Sequence, residues 1–373
     1  VTRYRAGPWR RRPAALGLLA VALVLVAAGP AGADPAGPTD YRTTIVAIEP
    51  PTPGVELRIL GGDSFVELAA DAGVEVRVVG YRAEPYLWFD VDGTVWQNET
   101  STSRWLNDDR YGGAEVPPQA DDEAEPTWVA VSSDGTHAWH DHRAHWMNPD
   151  RPIGAEAGDT ILEAVIPLEV DGEPVAVQVR STLLAGPSPV AAALGAVAAA
   201  VTGLAALARV RGRPGSGPAV DGPVVAMAPM APLAVVALWS LLASAVGLAS
   251  VVGLPAQAAP GPARWLLPAV AAVVSAGAAL ALGWGRMAPP LGALLLPAAL
   301  ALAGLELLLW AWIRRLVLTR ALVPGVAPAW LDRLTVAGAA VTGVIAVSGA
   351  ALVVLRARSV AATGPRREPR RSR

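Results

Sequence analysis

No cysteine occurs anywhere in the 373 residues. Disulfides, thiolate metal sites, iron–sulfur clusters and catalytic thiols are therefore all excluded. Lysine is missing too, so all 30 basic residues are arginine. With the abundance of Ala, Gly and Pro, that bias suggests a GC-rich bacterial genome, which bears on origin and not on mechanism. Charge is scarce: 17% of residues are charged and 53% hydrophobic, with mean hydropathy +0.40. Such a balance fits a chain partly dissolved in lipid. Histidine is rarer still, and all four lie within nine positions: His137, His140, His142 and His145.

The scarce charges are unevenly spread. Residues 34–187 hold 28 of the 32 acidic residues against nine arginines. A region that acidic repels nucleic acid and anionic lipid and attracts cations. Most of its carboxylates are expected to be ordinary solvated surface. Asp121-Asp122-Glu123-Ala124-Glu125, flanked by Pro117, Pro118 and Pro126, reads as an acidic loop.

Residues 1–33 read as a secretory signal. Arg3, Arg5 and Arg10 to Arg12 form a positive segment, Ala14 to Ala28 an apolar one, and Ala31 and Ala33 the small side chains of a cleavage site before Asp34. The rival reading, an uncleaved membrane anchor, suffers because the apolar run falls short of the roughly 20 residues that span a bilayer. Beyond Pro189 the chain is built of long apolar stretches. Residues 188–356 contain five expected spans, at 190–208, 230–253, 264–285, 290–313 and 334–356, followed by an arginine-rich tail at 357–373. Arginine placement puts the 209–213 loop, Arg286 and the tail in the cytoplasm, and residues 34–187 outside the plasma membrane. Arg314, Arg315 and Arg320 are exceptions, expected to snorkel from the outer end of the fourth span.

The exported region alternates in short runs, with expected strands at 43–48, 55–60, 65–69, 74–79, 86–91, 128–131, 160–170 and 174–183. Asp92-Gly93, Asp134-Gly135 and Asp171-Gly172 sit between such runs as hairpin turns. The expectation is a multi-domain protein, with an all-β antiparallel sandwich of Ig-like kind followed by a helical bundle of about five spans. Six tryptophans and both phenylalanines fall in the exported region and are expected to supply much of its core.

The histidines follow the spacing His-x2-His-x-His-x2-His around Asp141. A straight strand would separate them onto two faces, but a chain reversal at Asp141 would make His137 and His145 neighbours and gather three or four imidazoles. Asp141 and Met147 add a carboxylate and a thioether, and the thioether tilts the expected metal from zinc towards copper. The bland alternative is a buried hydrogen-bonded His-Asp-Arg turn with no metal. A weaker one is a general base oriented by Asp141. No G-x-S-x-G or H-E-x-x-H motif points to an enzyme. In the membrane part Glu306 is the only ionisable residue well inside an expected span. It is a candidate for transport, although the polar positions and repeats usual in transporters are missing from the sequence. Met227 and Met230 read as apolar filler rather than soft-metal ligands.

The run Trp139-His140-Asp141-His142-Arg143-Ala144-His145-Trp146-Met147 and the strand-turn Pro167-Leu168-Glu169-Val170-Asp171-Gly172 resemble segments of a group of uncharacterised actinobacterial envelope proteins. The resemblance covers the signal and exported region well and the membrane part loosely. It implies a signal peptide, a β-rich exported domain and a C-terminal membrane region, and it implies no activity. The expected partners are the lipid bilayer and another envelope protein, with no nucleic acid.

Overall fold

A computed structural model describes residues 34–211, 230–283 and 289–363. Ala31 and Ala33, Met227, Arg213, Arg286 and the end of the tail lie outside them, so the cleavage reading falls on residues that are not described. Ten strands form two antiparallel sheets: β1 (Tyr41–Glu49), β2 (Val55–Leu60), β3 (Phe65–Ala70), β4 (Val76–Val79), β5 (Pro85–Phe89), β6 (Val95–Asn98), β7 (Trp128–Ser132), β8 (Thr136–Trp139), β9 (Thr160–Val170) and β10 (Glu173–Leu183). Seven pair in the order β1-β10-β9-β4-β5-β6-β7, and three in the order β2-β3-β8. A short helix, α1 (Thr102–Leu106), interrupts the strands after β6.

Alternation decides what each face meets. Val66 and Leu68 of β3 and Trp139 of β8 share one core with Val76, Val78, Leu87, Phe89, Ile166, Leu168 and Val177 of the larger sheet. The opposite face of the small sheet is apolar as well. Phe65, Leu60 and Ala138 close over Ala36 and over Ala258, which lies in a loop of the helical part. The small sheet is thus a middle layer, and this explains why every residue of β3 from Phe65 to Leu68 is buried. Trp139 joins the core, but Trp88, Trp96 and Trp128 do not. They lie half-buried on β5, β6 and β7, with Trp88 packed 6.3 Å from Trp96 and 5.8 Å from Trp128, centroid to centroid.

The three Asp-Gly pairs separate into two uses. Asp171 and Gly172 both take positive φ, 51° and 82°, and close the two-residue hairpin from β9 to β10 that such a pair favours. Asp92-Gly93 closes the β5–β6 hairpin. Asp134-Gly135 instead carries the chain from β7 in one sheet to β8 in the other. Gly135 donates to the Gly93 carbonyl at 2.7 Å and accepts from Ala70 at 2.9 Å, and a Cβ there would sit 2.7 Å from the Ala70 oxygen. Glycine is required at this crossing by close backbone approach as well as by φ.

Five apolar helices follow: α2 (Val190–Arg211), α3 (Met230–Ala249), α4 (Ala263–Gly283), α5 (Pro289–Ile313) and α6 (Ala329–Thr363). Each is long and apolar enough to cross a membrane. Small residues set their spacing: a Cβ on Gly247 would lie 2.0 Å from the Arg264 carbonyl oxygen, so α3 and α4 touch backbone to backbone. The links after α3 and after α5 both reach the β region. Ala36 donates to Ala258, Thr39 and Leu322 exchange backbone hydrogen bonds, and the Asp40 carboxylate accepts from Arg320 at 2.7 Å and from the Ala321 amide at 3.0 Å. Arg314 does not snorkel. It is buried and paired with Asp332 of α6, with a further bond of 3.1 Å to Ser250. Arg320 is likewise paired, with Asp40 of the β region. The reason is tertiary: α6 begins at Ala329, earlier than the apolar run, and brings Asp332 into the bundle to meet Arg314.

Candidate functional site

The histidine segment starts as β8 and then reverses. Ala144 donates to the Asp141 carbonyl at 2.8 Å, and the Thr43 hydroxyl fastens the turn to β1 through the Ala144 carbonyl at 2.6 Å. The reversal brings His145, and not His137, to the other imidazoles. His145 packs edge-on against His140 (centroids 6.1 Å apart) and against His142 (5.5 Å). His137 makes none of these ring contacts. It sits buried on β8, and its Nδ1 lies 3.5 Å from Gln257 Nε2 in the link after α3. Strand alternation ends at Trp139, so the spacing that separates His140 from His137 on a strand no longer governs the residues beyond the turn.

Three backbone carbonyls hold the imidazoles. His140 Nε2 donates to Asp34 O at 2.6 Å, His142 Nε2 to Asp109 O at 3.0 Å, and His145 Nε2 to Arg110 O at 2.6 Å. A carbonyl can only accept, so each of these Nε2 atoms carries the proton and, in the neutral ring, each Nδ1 is left with a lone pair. The Nδ1 atoms of His140 and His145 are buried and have no hydrogen-bond partner. His140 also stacks on Phe65 with centroids 4.0 Å apart.

All four rings are kept neutral. Burial pushes His145 down to about 3, helped by the adjacent Arg110 charge, and pushes His137 down to about 4. His140 and His142 are lowered by burial as well, partly offset at His140 by the Asp34 and Ser64 carbonyls and at His142 by the Asp109 carbonyl and Asp141. Neutral imidazole is the form that ligates a metal.

Asp141 is brought near but turned elsewhere. Arg143 grips both carboxylate oxygens at 2.8 Å each, Trp139 Nε1 adds 3.1 Å and the Arg143 amide 3.0 Å. Burial alone would raise its pKa, but the Arg143 pairing outweighs burial and holds it below the usual carboxylate range. Arg143 also donates to the Val79 carbonyl at 3.1 Å and lies over the Tyr81 ring, whose hydroxyl accepts from the His142 amide at 2.7 Å. Met147 and His142 both border Gly112: a Cβ there would meet the Met147 methyl at 3.0 Å and the His142 ring at 3.6 Å.

Among the described residues no three His, Asp or Glu side chains converge as ligands for one ion. What the segment offers is narrower: two buried ring nitrogens without a hydrogen-bond partner, on imidazoles packed edge-on, and a third imidazole, His142, against His145. Sequence reasoning missed the residues that hold this arrangement, Tyr81, Asp109, Arg110 and Gly112. Nothing local marks them, since they come from 30 or more residues upstream. Glu306 lies on α5, half-buried, and its Oε2 has no hydrogen-bond partner. No family model matches the chain, and no curated protein or solved structure is similar to it.

Proposed function

We propose that this is a membrane-anchored protein of the bacterial envelope whose exported β region, read as an antiparallel sandwich of Ig-like kind, binds or senses a metal ion. The observation that carries the reading is the pair of buried, unpartnered Nδ1 atoms of His140 and His145. Each belongs to a ring whose other nitrogen is fixed on a backbone carbonyl, the outer support that ligating histidines ordinarily have. His140 and His145 would hold the ion, with His142 and Met147 the further donors within the cluster. An imidazole set with a thioether and no thiolate or free carboxylate suits copper, Cu⁺ in particular, better than zinc. His137 stands outside the ligand set because its ring meets none of the other imidazoles, and Asp141 because Arg143 takes both of its carboxylate oxygens. Cleavage before Asp34 would leave a new α-amino group beside His140, whose Nε2 already holds the Asp34 carbonyl.

A second reading has its own support. The same three Nε2 bonds and the saturated Asp141–Arg143 pair fasten residues 34, 109 and 110 into one buried cluster, as a purely structural turn of an interaction module would. Thermal unfolding separates the two. A ligand that binds only the folded state stabilises it by about 2.7 kcal/mol at a hundred times its Kd. Cu⁺ in slight excess over a buffered chelator should raise the Tm of the full-length protein in detergent by several degrees. His145→Gln, whose amide can still donate to the Arg110 carbonyl, should keep the unliganded Tm within a few degrees and lose the copper response. An unchanged Tm with copper and a collapsed one in His145→Gln would favour the structural reading. A transporter working through Glu306 has only the unpartnered carboxyl oxygen in its favour.

A further inference from the structure

A cavity of about 210 Å³ lies at the seam between the β region and the helices. Its walls come from the segment 34–41 that leads into β1, from the loops at 110–111 and 146–149, and from the outer ends of α4 and α5 with the turn after α5. Four arginines line it (Arg110, Arg264, Arg314 and Arg320), against the carboxylates of Asp34 and Asp40. Three of the four are committed: Arg110 to Asp63, Arg314 to Asp332 and Arg320 to Asp40. The guanidinium of Arg264 has neither a hydrogen bond nor an ion pair, and its charged neighbours are Arg314 and Asp332.

Two more unmet donors stand at the same walls. Arg314 Nε is buried without a partner, and so is the hydroxyl of Tyr41, a residue only 5% exposed. Arg264 is a half-buried guanidinium whose nearest carboxylate, Asp332, is already paired with Arg314, and the positive charge left in excess is costly unless a further anion completes it. The remaining wall is apolar, formed by Ile313, Leu316 and Val317 at the end of a membrane span. Guanidinium groups presented from different elements are suited to the several oxygens of a phosphate.

We propose that this seam is a binding site for a phosphate group, with Arg264 as its principal anchor and Arg314, Arg320 and Tyr41 around it. The volume admits a head group and not an acyl chain, which would leave along Ile313 and Leu316. The phosphate comes either from a membrane phospholipid or from the free anion, and the two sources are separable.

The test is native mass spectrometry of the full-length protein released from nanodiscs, half containing phosphatidylglycerol and half only phosphatidylcholine, with inorganic phosphate added as a competitor. Wild type should retain one tightly held phosphate-bearing adduct. Arg264→Gln should weaken that retention by about tenfold or more, the loss of a charge-assisted contact. Arg264→Lys should keep part of it. Arg209→Gln, at the opposite end of α2, should change nothing. A lipid adduct that millimolar phosphate does not displace assigns the bilayer as the source. Displacement, with a bound phosphate in its place, assigns the free anion. Equal retention by wild type and a folded Arg264→Gln, or none by either, would overturn the site.

Discussion

The imidazoles, three of them buried (His137, His140 and His145) and His142 half-buried, also carry a liability. Their folded-state pKa values lie below the unfolded value near 6.5, at about 3 for His145 and about 4 for His137. As pH falls below about 6.5 the unfolded chain takes up protons that the folded chain refuses, so stability is full above that value and drains away down to about 4 for His137 and about 3 for His145. His145 and His137 each add about 1.4 kcal/mol per pH unit to that slope. His145→Gln should therefore flatten the dependence of stability on pH between about 6 and 4 by one proton's worth, measured by denaturant unfolding in detergent across that range. An unchanged slope would mean that His145 titrates normally and is not buried neutral. The segment stood out in the sequence because every histidine falls inside it. Which rings meet was not. That depends on carbonyls of Asp34, Asp109 and Arg110 and on the gap left by Gly112, all remote in sequence, and on a turn that ends the strand alternation at Trp139.

Elements were legible in proportion to how much of their signal is local. The five long helices follow from runs of about 20 apolar residues, a property of composition that needs no partner. The long strands β9 and β10 and their Asp171-Gly172 turn were equally plain. The four-residue β6 and β8 are too short for a period to declare itself. Asp134-Gly135 has the chemistry of a hairpin, but the choice of partner strand is made by Ala70 and Gly93. The early start of α6 depends on Arg314, just beyond the end of α5, neutralising Asp332. Close helix contact gives a paired prediction at this scale. Gly247→Ala forces a methyl against the Arg264 carbonyl and should cost about 1–3 kcal/mol. Gly277→Ala on α4, where a Cβ meets nothing within 4 Å, should be neutral or stabilise by up to about 1 kcal/mol through helix propensity. Comparison of the two variants in a detergent-unfolding series checks the α3–α4 contact directly; equal effects would refute it.

At the scale of the whole molecule, the β region and the helices form a continuous structure, joined by Asp40 with Arg320, by the Thr39–Leu322 bridge and by Ala258 beneath Phe65. Both links that touch the β region, after α3 and after α5, lie on one side, so α6 starts there and runs away from it. If residues 34–187 are exported, the tail is cytoplasmic. A C-terminal alkaline phosphatase should be inactive and a C-terminal fluorescent protein bright; an active phosphatase would reverse that orientation. This connection also places the histidine cluster close to the membrane part, with His137 against Gln257 of the link after α3. The central claim is that His140 and His145 together hold a copper ion. The most direct measurement is an anaerobic Cu⁺ titration of the full-length protein in detergent against a competing chromophoric chelator, in wild type, His145→Gln and His137→Gln. The account predicts one copper per chain in wild type, little change in His137→Gln, and binding weaker by about a hundredfold or more in His145→Gln, at or above the top of the 10–100-fold range that outer-shell changes produce. No competition by wild type, or equal affinity in His145→Gln, would contradict it.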